Sequence, residues 1–88
     1  MIRSPKQAFN ERAILRALLQ CGSYPCPEIA LKAHVELFVG GIITQGEFDE
    51  SLRYLDTEGR IINGDGETCR VWKITEAGRM WARENRVA

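Results

Sequence analysis

Residues 44–61, TQGEFDESLRYLDTEGRI, decide how the chain is read. Thr44 with Glu47 three positions on is a capping box, in which each side chain satisfies a backbone donor at the other residue, so a helix begins at Gln45. Phe48, Leu52 and Leu55 recur at the four-then-three spacing of one helical face, and Gly59 is suited to end the helix in the left-handed region. The period then changes. Ile61 and Ile62, the turn-forming Asn63-Gly64-Asp65-Gly66, and TCRVWKI up to Ile74 predict a short β-hairpin near residues 60–74, with Trp72 and Ile74 on one side of its second strand.

Working outward, Ser4, Pro5 and Gln7 mark the start of a first helix that runs to about Gln20, where Gly22 follows as a stop. Its apolar stripe is Ile14, Leu15, Leu18 and Leu19, which leaves Phe9 and Ala13 on the far side beside Arg12 and Arg16. Residues 21–25 read as a turn, and Pro27 opens a second helix, EIALKAHVELF. That helix is apolar on two sides, Ile29, Ala33 and Leu37 on one and Leu31, Val35 and Phe38 on the other, so it is either deeply buried or shared with a partner. Gly40-Gly41 breaks it. Thr75 caps a last helix, TEAGRMWARENR, with Ala77, Met80 and Trp81 inward and Arg79, Arg83 and Arg86 opposite. The expected fold is mainly α with a small β-hairpin, in the order α-α-α-β-β-α, as a single domain over residues 1–88. Its core is Ile14, Leu15, Leu18, Phe48, Leu52, Leu55, Ile74 and Trp81.

Composition narrows the function. The 88 residues are 44% hydrophobic and 27% charged, which argues against disorder. No apolar run approaches the ~20 residues of a membrane span, and the polar start MIRSPKQAFNER lacks a secretory signal's apolar stretch, so a cytoplasmic location without membrane partners is expected. Cys21, Cys26 and Cys69 are odd in number and lack zinc-knuckle spacing, which favours free thiols; His34 is the only histidine and has no companions for a metal site or a triad. With no phosphate-binding glycine loop or nucleophile elbow, neither an enzyme nor a cofactor is expected.

Three helices leading directly into a hairpin and then a terminal helix resemble the winged helix-turn-helix family. TQGEFDESLRYLDTEGRI resembles its recognition helix, and WKITEAGR is similar to the strand-to-helix signature of winged-helix regulators of the MarR and PadR types. The long second helix, the glycine connection and the small size are also similar to the short winged-helix proteins of Mu-like phages. The resemblance implies binding of double-stranded DNA by a small transcriptional regulator, with the third helix in the major groove and the wing on the backbone or minor groove. A dimer reading two half-sites goes with this, and Phe9 with the last helix is the candidate two-fold contact.

Charge opposes part of that implication. Residues 1–26 carry four basic and one acidic side chain, residues 27–58 two and seven, and residues 59–88 six and four, so the reading helix lies in the acidic third. Helical projection turns Glu50, Arg53 and Tyr54 outward with Asp49 and Asp56 flanking. A carboxylate ~6 Å from a phosphate is opposed by roughly 0.7 kcal/mol in water-like dielectric, so several cost roughly 2–3 kcal/mol. The candidate DNA-binding residues are Gln45, Asp49, Glu50, Arg53 and Tyr54 on the helix, where carboxylates reach cytosine amino groups and Arg53 reaches guanine, with Arg60, Arg70 and Lys73 at the wing. The competing expectation is a protein-interaction module that docks through the acidic third helix or the two-sided second helix.

Overall fold

The computed structural model describes residues 4–22, 24–64 and 70–87. In chain order the elements are α1 (Pro5–Cys21), β1 (Cys26–Pro27), α2 (Glu28–Val39), α3 (Gln45–Thr57), β2 (Ile61–Gly64), β3 (Val71–Ile74) and α4 (Glu76–Glu84). The expected order is found, with one strand added: the hairpin is part of a three-stranded antiparallel sheet, β1-β3-β2. β1 places Cys26 opposite Trp72 and Pro27 opposite Val71. Two residues, one of them proline, carry no alternation to read, and proline is tolerated here because β1 is an edge strand.

The local signals at the helix starts are realised. The Ser4 hydroxyl accepts from the Gln7 amide at 3.1 Å while the Ser4 amide donates to Gln7 Oε1 at 3.0 Å, and Thr44 and Glu47 form the equivalent reciprocal pair on α3. Gly40 ends α2 with φ 75°, and Gly59, also at φ 75°, turns the chain from α3 into β2. Asn63 and Gly64 are exceptions: expected in the hairpin turn, they extend β2 and pair with Trp72 and Val71. The rest of that turn, Asp65 and Gly66, and also Cys69, lie outside the described residues.

α1 runs through the centre of the molecule. Ile14, Leu15 and Leu18 are buried against Leu31 and Val35 of α2, Phe48, Leu52 and Leu55 of α3, and Ile61, Trp72 and Ile74 of the sheet. Two expectations are corrected. Ala13 is buried, because the chain after α4 turns back at Arg86 (φ 56°), Val87 donates to the Ala82 carbonyl, and the buried Val87 side chain lines one depression with Ala13. α4 is also rotated from its sequence pattern: Gly78 and Ala82 are its buried residues, Ala77 and Met80 are exposed and Trp81 is half-buried. The cause is backbone proximity at Gly78, where a Cβ would collide with the Arg60 carbonyl oxygen and lie 2.8 Å from Ile74 Cγ1.

An exposed helical Gly→Ala change gains about 1 kcal/mol, but Gly78→Ala is expected to lose about 1–3 kcal/mol through overpacking. Leu52→Ala should lose about 2–5 kcal/mol, since Leu52 is 2% exposed between α3 and α1. Urea denaturation of both variants checks the pair; a stabilised Gly78→Ala contradicts the packing described at the Arg60 carbonyl.

Candidate nucleic-acid interface

α3 is held at its N-terminal end from two sides. Lys6 of α1 pairs with Glu47 at 2.7 Å, and Lys32 Nζ of α2 lies 3.5 Å from Gln45 Oε1. The hydrogen bond from Lys6, followed by those from the Thr44 amide and hydroxyl, holds the Glu47 carboxyl below its ordinary range. Gln45 Nε2 donates in turn to Asp49 Oδ1 at 2.9 Å.

Asp49 reaches the wing. Arg70 Nη2 lies 3.7 Å from Asp49 Oδ1 and 2.8 Å from Glu28 Oε1, and that same Glu28 oxygen accepts from Trp72 Nε1 at 3.0 Å. A groove of about 220 Å³ results between α3 and β3, lined by Asp49, Leu52, Arg53, Asp56, Arg70 and Trp72. Arg53 is exposed at this groove and its guanidinium has no partner among the described residues. Glu50 is exposed and Tyr54 half-buried.

The candidate residues therefore divide. Asp49, Arg53 and Arg70 come together along one groove, and Gln45 is joined to them through Asp49. Lys73 is exposed, but on the outer face of the sheet opposite Ile62. Arg60 is drawn into the packing: its guanidinium stands 4.4 Å from the centre of the Trp81 ring and 5.8 Å from that of Tyr54, and the side chain is only 16% exposed. Glu28 is a site residue that the sequence pattern did not single out. Its acidic side chain at the start of α2 reads as a complement to the helix dipole, and its bond to Trp72, 44 residues away, leaves no local signature.

Arginines also collect at the seam of α1 and α4. Arg12 donates to the Asn85 carbonyl and Arg79 to the Gly22 carbonyl, each at 2.8 Å, while Arg16 lies over the Phe38 ring at 4.5 Å. Arg83 and Arg86 are exposed there without a partner among the described residues. Of the thiols, Cys21 and Cys26 are free; burial, and then the neighbouring Cys21 thiol, push Cys26 up to about 12, which leaves it without thiolate character near neutrality.

Neither a family model nor a curated protein matches the sequence. Among solved structures the fold is similar to the crystal structure of SSV1 F-93, with a TM-score of 0.64 and 19% identity over 84% of this chain and 79% of that one. The fold is a winged helix. In winged-helix terms α3 occupies the recognition-helix position, β2 and β3 are the arms of the wing, and β1 is the short strand that completes the sheet. No helix among the described residues is long and apolar enough to cross a membrane.

The lowered pKa of Glu47 sets a pH dependence. A carboxyl whose folded value lies below its ordinary 4.5 contributes stability that is present above that value and lost as pH falls through the folded one. Glu47→Gln should remove this contribution, so its denaturation midpoint should fall less steeply than that of the native chain as pH is lowered below 4.5. Parallel acid slopes for the two proteins would show that the Lys6–Glu47 contact does not form in solution.

Proposed function

We propose that this chain binds double-stranded DNA as a small transcriptional regulator, with α3 in the major groove. The supporting observation is the state of the charges on α3. Five carboxylates of residues 45–58 oppose phosphate on a count of the sequence. Three of them have cationic partners within the chain: Glu47 with Lys6, Asp49 with Arg70, and Glu58 with Arg60 at 3.8 Å. Glu50 and Asp56 remain, and two carboxylates at ~6 Å from phosphate oppose binding by roughly 1.4 kcal/mol before screening. This is small beside the roughly 5.5–8 kcal/mol of ordinary non-specific DNA association.

In this reading Arg53, without a partner among the described residues, reads bases, and Lys73 contacts phosphates, while Arg70 stays with Glu28 and Asp49. Glu50, exposed on α3, is the carboxylate that this reading assigns to cytosine amino groups. Arg60 serves the fold, since its guanidinium is stacked on Trp81. The MarR and PadR likeness of WKITEAGR is accounted for by packing: Thr75 caps α4 and bonds the Gly59 carbonyl at 2.6 Å, and Gly78 makes room for Arg60. The motif therefore supports the winged-helix fold more than membership of either group.

A second reading, a module that docks onto protein, is favoured by one observation: the outer face of α2 exposes Ile29 and Leu37. Gel retardation on random-sequence duplex at low and moderate salt separates the two. DNA binding predicts retardation that weakens with salt. Arg53→Ala should then lose about 1–3 kcal/mol of discrimination at one base position, whereas Lys73→Ala should weaken all sequences alike and lower the salt slope by about one. The absence of retardation at low salt overturns the DNA reading.

A further inference from the structure

Two of the three cysteines stand at one corner of the fold. Cys21 is the last residue of α1 and Cys26 the first of β1. The chain turns directly after the helix: the Gly22 amide donates to the Leu19 carbonyl at 3.1 Å, Gly22 takes φ 67°, and the Tyr24 amide donates to the Cys21 carbonyl at 3.3 Å. Both cysteines join the same apolar core, Cys26 buried within it and Cys21 packed against it. Their side chains meet there and are hydrogen-bonded to each other.

The surroundings select the chemistry of this pair. Among the described residues no third thiol, histidine or carboxylate joins it to make a metal site, so the two sulfurs have each other as reaction partners. They differ in access. Cys21 is half-buried, whereas Cys26 is 4% exposed and lies in the core with its thiol 3.7 Å from the Pro27 carbonyl. Burial, and then the Cys21 thiol beside it, keep Cys26 protonated near neutrality. A reagent arriving from solvent therefore meets Cys21 first, and Cys26 is the group that reaches the Cys21 sulfur from inside.

We propose that Cys21 and Cys26 are a reversible dithiol–disulfide couple, closed by a small-molecule disulfide of the glutathione class. In the first exchange the Cys21 thiolate attacks one sulfur of the small disulfide, whose S–S bond breaks as one small thiolate leaves. In the second, Cys26 gives its proton to solvent and its sulfur attacks that of Cys21; the mixed disulfide breaks and the second small thiolate leaves with the electron pair of that bond. Both leaving thiolates equilibrate with water to thiols. Two protein thiols are oxidised and one small disulfide is reduced to two thiols; excess small thiol reverses both steps. The bond so formed ties the end of α1 to the strand that meets the wing, since Cys26 stands opposite Trp72 and Glu28, two residues on, holds the Trp72 indole and Arg70. The couple is independent of DNA binding, and its test contains no DNA.

Thiols held side by side by the fold close more readily than the same thiols on an open chain, because the loop between them is already formed. The test equilibrates the full chain with mixtures of reduced and oxidised glutathione, with and without denaturing urea, then quenches with acid, alkylates the free thiols and digests with trypsin. Cleavage after Arg16 and Lys32 leaves both cysteines in one peptide, residues 17–32, and cleavage after Arg60 and Arg70 puts Cys69 in another. The 17–32 peptide from the folded chain should be lighter by two hydrogens and free of alkylation. Its equilibrium constant for closure should exceed that in urea by about tenfold or more. Cys21→Ser should fold, which circular dichroism checks, and its buried Cys26 should resist glutathione until urea is added. A folded chain whose constant is equal to or below that in urea, a bond to Cys69 in place of the 21–26 bond, or ready modification of Cys26 in folded Cys21→Ser would each overturn the proposal.

Discussion

The carbonyl group of Arg60 is where the third helix, the sheet and the last helix meet. It accepts from the Thr75 amide at 3.0 Å and lies against Gly78, where a side chain would not fit. One residue earlier, Gly59 makes the left-handed turn out of α3 and offers its own carbonyl to the Thr75 hydroxyl, while the Arg60 side chain stacks on Trp81. The junction sets the register of Ile61 against Ile74 and therefore the direction in which the wing leaves the body. It also fixes the rotation of α4, because the face carrying Gly78 must turn inward. The arginines of that helix are then displayed beside α1, where Arg79 reaches the Gly22 carbonyl.

A second set of contacts governs the surface of α3. The helix is rich in acid, yet its carboxylates are not equivalent. Lys6 from α1 and Arg70 beside β3 reach it from opposite ends of the chain and partner Glu47 and Asp49. Arg70 is shared with Glu28, which also receives the indole of Trp72, so the start of α2, the wing strand and α3 are tied through one polar cluster. The same cluster leaves Arg53 as an exposed cation of the groove without a partner among the described residues. A helix can thus be acidic in composition and still present an exposed cation along one groove.

α2 separates two duties by face. Leu31 and Val35 are fully buried, and Phe38 packs beside them under Arg16. The opposite stripe is equally apolar and uncovered. With α1 at the centre, a core of this size has too few residues to cover both faces of α2 as well.

Much of this protein was legible in its sequence because the signals involved are local. The capping boxes at Ser4 and Thr44, the stop at Gly59, the periodicity of Phe48, Leu52 and Leu55 and the alternation of Trp72 and Ile74 each act within a few residues, and backbone hydrogen bonding obliges them. The two-sided character of α2 was legible for the same reason, as was Arg53 on the outer face of α3. What only the tertiary structure decided involves partners far apart in the chain. β1 exists because β3 offers it an edge, Glu28 joins the site because Trp72 and Arg70 are brought to it, and Arg60 leaves the solvent because Trp81 lies beside it. The rotation of α4 belongs with these. Its hydrophobic pattern pointed to Met80 and Trp81, but a backbone approach at Gly78 outweighed that pattern, since steric exclusion by a carbonyl oxygen is steeper than the gain from burying one more apolar side chain.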